Sequence, residues 1–76
     1  MSPRLPRVTA KELAGALLRD GWFLVRRHGS HQIYAHPTKP GTLSIPFHPG
    51  DDLGVGLLHK IVRDAGLMPE DLERLL

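Results

Sequence analysis

At 76 residues the chain is long enough for one domain, read as residues 1–76, and the core of such a domain is thin. With no cysteine it has neither a disulfide staple nor a thiolate zinc site, and with no apolar run near 18 residues it spans no membrane. Its net charge of +2 is uneven: residues 1–48 carry seven Lys/Arg against Glu12 and Asp20, and residues 49–76 carry three against six acids.

In chain order, Pro3 and Pro6 keep the first residues extended, and "MSPRLPRVTA" lacks the apolar stretch of a secretion signal. A cytoplasmic protein is expected. Thr9 opens a capping box with Glu12, and Leu13, Ala14, Leu17 and Leu18 recur at helical spacing, predicting a helix over 10–20 that Gly21 stops. "WFLVRR" and "HQIYAH" are β-rich runs on either side of "HGS", the pattern of an antiparallel hairpin with Gly29 in its turn. "PTKPG" is a second turn and "TLSIPF" a third strand, with Leu43 and Ile45 alternating against Thr42 and Ser44 and Pro46 at its end. "HPGDDLGVG" is loop. "LLHKIVRDAG" sets Leu57, Leu58, Ile61, Val62 and Ala65 on one helical face. "MPEDLERLL" reads as a short last helix with Pro69 in its first turn.

The order predicts an α+β fold, α-β-β-β-α, with a three-stranded antiparallel sheet, helices on one face and a short C-terminal helix. That is also the layout of double-stranded-RNA-binding domains, which read A-form shape and phosphates. Alternation leaves open which face of the first strand is buried, because Trp22/Leu24 and Phe23/Val25 compete.

The segment "RRHGSHQIYAHP", residues 26–37, concentrates chemistry: two arginines and three histidines around one turn. A histidine that begins a strand just after a glycine turn is held by the ladder yet open to a large substrate. Imidazole titrates near neutrality and serves as acid or base, and a guanidinium matches phosphate geometry. RNA cleavage by its own 2′-hydroxyl needs those parts. Arg26 and Arg27, as successive strand residues, face opposite ways, so one of them at most shares a phosphate with His31. The plainer readings are a polar surface turn, with His28 and His36 as surface residues and Trp22, Phe23 and Tyr34 in packing. A metal site from His28, His31, His36 and His48 is disfavoured, since His31 and His36 differ by five along a strand. No metal or cofactor is expected.

"DGWFLVRRHGSHQIYAHP", "LSIPFH" and "LLHKIVRDAGL" together resemble the HicA family of toxins, the mRNA interferases of toxin–antitoxin pairs. The most specific element is the triplet Gly29-Ser30-His31; Pro46 with His48, and the run from Ile61 to Leu67, support it. The resemblance implies a double-stranded-RNA-binding-domain-like fold, His31 as the catalytic residue of a metal-independent endoribonuclease, and a HicB-type antitoxin as partner. Arg26, Arg27, Ser30, Lys39 and His48 are the candidate RNA contacts. Two features depart from the pattern: Leu57 stands where many members have threonine, and the acidic "PEDLERLL" extends past the motif. The alternatives are a module that binds double-stranded RNA without cutting it, and a purely protein-binding subunit.

Overall fold

The computed structural model describes residues 7–48 and 52–76; the extended reading of residues 1–6 lies outside them, as does part of the loop at 49–51. The elements are α1 (Ala10–Arg19), β1 (Phe23–His28), β2 (His31–Ala35), β3 (Thr42–Pro46), α2 (Val55–Asp64) and α3 (Pro69–Leu75). The predicted α-β-β-β-α layout with a terminal helix is the one found, and the three strands form one antiparallel sheet in the order β1-β2-β3.

The capping box of α1 forms as its residues dictate. The Glu12 amide donates to Thr9 Oγ1 at 3.1 Å, and the Thr9 amide donates to Glu12 Oε1 at 3.0 Å. Leu13, Ala14 and Leu17 are buried, whereas Leu18, assigned to the same stripe, faces outward. Gly21 then takes φ +106°, and a Cβ there would meet His36 Nε2 at 2.8 Å, so both backbone and space demand glycine. Helix α2 begins at Val55, two residues earlier than expected, and its N-cap is Gly54, which makes no side-chain cap bond. Leu57 is therefore the third helical residue, so a threonine in its place would not stand at this N-cap.

The helices pack on one side of the sheet, with α1 and α2 against β3 and α3 against both helices. The core joins Leu13 and Leu17 of α1, Tyr34, Leu43 and Ile45 of the sheet, Leu58, Ile61 and Val62 of α2, and Leu72 of α3. The acidic tail is thus structural: Leu72 is fully buried, and Arg19 Nη1 donates to the Leu75 carbonyl at 2.8 Å, tying α3 to α1.

Strand β1 differs from its neighbours. It is an edge strand with every residue exposed, and burial begins only at Trp22, one residue before it. Trp22 sits in the core, as the packing reading has it, but the strand it was expected to open starts one residue later. Strand β1 runs one residue further, to His28.

The turn after β2 is locked by His36. Its Nε2–H donates to the Asp20 carbonyl at 2.8 Å, which leaves Nδ1 to accept the Thr38 and Lys39 amides at 3.1 and 3.3 Å. The ring also meets Trp22 edge-on, with centroids 5.2 Å apart. His36 is therefore a half-buried structural residue rather than the surface residue expected. A lone histidine after a strand carries no local signal of that role, because the carbonyl that holds its Nε2, that of Asp20, lies sixteen residues back at the end of α1.

Candidate functional site

The site is built on the β1–β2 hairpin. Gly29 has φ +61°, and no non-glycine residue in the described chain has positive φ. A positive φ at the first turn residue and an ordinary one at the second is the pattern of a type II′ turn, whose twist suits a two-residue hairpin. Gly29-Ser30 thus closes the hairpin, and His28 pairs directly with His31.

Strand register assigns the faces. Tyr34 is buried and pairs with Leu24 and Leu43, so that row faces the helices. His31 and Ile33 alternate with it and belong to the opposite, open face. Their partners are His28 and Arg26 on β1, and Pro46 and Ser44 on β3. The competition between Trp22/Leu24 and Phe23/Val25 has a physical answer: the ladder slips between Leu24 and Arg26, leaving Val25 as a bulge. Simple alternation fails across that bulge. Phe23 and Arg26 end on the open face together, and Arg27, paired with Gln32, goes to the helix side.

Tyr34 reports the same arrangement. Its hydroxyl donates to Gln32 Oε1 at 2.7 Å. Burial pushes its phenol above the usual value, with the Arg27 charge pulling the other way.

His31 is exposed, yet its ring is not free. Its Nδ1 lies 2.9 Å from Ser44 Oγ, and its Nε2 has no partner among the described residues. Ser44 is the site residue that sequence reasoning left as a mere strand position. Only the β2–β3 register brings it to His31, thirteen residues away. The imidazole is anchored at one nitrogen and presents the other to an incoming molecule.

The remaining candidates divide. Arg26 shares the open face with His31. Ser30 is exposed in the turn, and its carbonyl accepts the Phe47 amide at 2.8 Å, which holds the segment leading to exposed His48 beside the same end of the sheet. Arg27 faces away. Lys39 lies beyond the far end of β2, and its ammonium is committed: it meets Asp20 Oδ2 at 2.7 Å and the Ala65 carbonyl at 2.8 Å. That lysine clasps the ends of α1 and α2 and does not join the His31 cluster. Among the described residues no three His, Asp or Glu side chains gather into a metal-holding group.

Beyond this geometry, the family model of the HicA toxin of bacterial toxin–antitoxin systems matches residues 10–67, from α1 to just past α2. The chain belongs to the HicA family. It is accordingly the toxin of a toxin–antitoxin system and has an antitoxin partner. Only α3, whose structural role is given above, lies past the matched HicA segment. A comparison with curated proteins finds no match. No helix among the described residues is long and apolar enough to cross a membrane.

The unequal placing of the two arginines sets a measurable expectation. If RNA lies on the open face, Arg26→Ala weakens binding and flattens the slope of log K against log salt by about one phosphate contact. Arg27→Ala changes both much less. Equal, large losses at the two positions in a salt titration would contradict the assigned faces.

Proposed function

We propose that this HicA-family chain is a cytoplasmic endoribonuclease that cleaves mRNA with His31, without a metal cofactor, and is restrained by a HicB-type antitoxin. The observation that carries this reading is His31 itself, an exposed imidazole on an open sheet face, anchored through Nδ1 with Nε2 unpartnered. None of the residues paired on that face is acidic, and Arg26 supplies charge beside it. A polyanion meets no repulsion there.

The chemistry follows from what an imidazole can do. A base removes the 2′-hydroxyl proton, the 2′-oxygen bonds to the adjacent phosphorus, and the bond to the 5′-oxygen breaks as that oxygen gains a proton. His31 Nε2 is the group proposed to move a proton in this exchange. Arg26, Ser30 and His48 are proposed to hold the phosphates around it, the guanidinium stabilising charge that builds on phosphorus. Lys39 serves the same binding only indirectly, by tying the segment between β2 and β3 to the ends of α1 and α2.

The products should carry a 2′,3′-cyclic phosphate and a 5′-hydroxyl, and cleavage should persist in EDTA. A substrate with 2′-deoxy sugar at the scissile nucleotide should stay intact. Mass spectrometry of the product ends decides the matter. Cutting of the deoxy substrate, or a strict Mg²⁺ requirement, would show that the attacking group is not the 2′-oxygen. Binding without any cutting would favour a module that only holds RNA.

A further inference from the structure

We propose that Ser44 is the positioning residue of His31, an inference that rests on His31 being the catalytic group. Strand pairing fixes only where the His31 backbone lies. The ring is exposed on the open face, and an exposed side chain samples several rotamers. Ser44 supplies the missing constraint. It pairs with Ile33, so on the open face it is the diagonal cross-strand neighbour of His31, and its Oγ lies 2.9 Å from Nδ1. No other side-chain bond of Ser44 occurs among the described residues, so its hydroxyl is fully available to the ring.

A hydroxyl suits this role because it can accept a hydrogen bond from Nδ1–H in both protonation states of the ring. With the neutral ring's proton on Nδ1, Nδ1–H donates to Oγ and the Nε2 lone pair points at substrate. In the imidazolium, the same Nδ1–H bond persists and Nε2–H is the proton to be delivered. The proton therefore enters and leaves at Nε2 while the anchor stays unchanged. Without Ser44 the ring is free to rotate and to place its proton on Nε2, which removes the basic lone pair from the substrate side.

The test uses the full chain, with kinetics on RNA and long-range ¹H–¹⁵N spectra of the histidine rings. Ser44→Ala should lower kcat by roughly 10–100-fold, the scale seen when an orienting partner is lost, with KM little changed. Ser44→Thr, which keeps the hydroxyl on a strand-compatible residue, should restore most of the rate. The spectra should show neutral His31 as the Nδ1–H tautomer in the wild type and a shift toward Nε2–H in Ser44→Ala. In the His31→Ala background, Ser44→Ala should cost nothing further. A fully active Ser44→Ala chain, or the same His31 tautomer with and without the hydroxyl, overturns the positioning role even if His31→Ala is inactive. Full activity of His31→Ala would instead remove the catalytic reading, and the spectra would still report whether Ser44 sets the ring.

Discussion

Replacing His31 by alanine is expected to abolish RNA cleavage and growth inhibition while leaving the protein folded. Removing a general acid–base group lowers a rate by ~10²–10⁴, and in this protein it also removes the imidazole ring held through Ser44. Stability should barely move. His31 is exposed, its side chain belongs to no part of the core, and its backbone pairing with His28 and Pro46 survives the substitution. The turn itself depends on Gly29, which stays. Circular dichroism and thermal melts therefore serve as the control, and RNA affinity measured by anisotropy should fall far less than the cleavage rate. A folded His31→Ala chain that cuts RNA at the normal rate would take His31 out of the mechanism.

The His31 hairpin is legible in the sequence because its signals are local. Gly-Ser between two β-rich runs defines the turn, and a two-residue turn fixes the register that pairs His28 with His31. The same locality makes the Thr9–Glu12 box and the inward Leu43 and Ile45 readable. What stays hidden depends on contacts distant in sequence. Val25 is a bulge because the edge strand must reconcile the hairpin turn at one end with buried Trp22 at the other, and no residue type marks that slip. Ser44, His36 and Lys39 take their roles from partners thirteen to twenty-six residues away. For Lys39, basic composition suggests a phosphate contact, but the ammonium is occupied by Asp20 and a helix-terminal carbonyl. Charge counts describe a surface only when the partners of each charge are known.

Trp22→Ala should destabilise the fold severely. Truncating a buried aromatic typically costs about 3–5 kcal/mol, and a chain of this length has only about 4–11 kcal/mol in total. Trp22 is 1% exposed and occupies the joint between α1 and β1, against the His36 ring that bonds back to Asp20. Because β1 buries none of its own side chains, Trp22 is its anchor to the core. A melting temperature lower by at least about 12 °C is expected, since 1 kcal/mol shifts a domain of this size by roughly 4–8 °C. Trp22→Phe should cost much less. It keeps most of the ring volume and deletes an indole N–H that is buried with no partner among the described residues, so the lost packing is partly offset by a relieved desolvation penalty. The functional consequence follows the strand: loosening β1 moves Arg26 and His28 relative to His31, so Trp22→Ala should lose cleavage even at temperatures where α1, α2 and the β2–β3 pair persist. Thermal melts of the two variants, with amide exchange along β1, would check this. Equal melting temperatures for Trp22→Ala and Trp22→Phe, with β1 protected in both, would show that the edge strand is held by its hairpin alone.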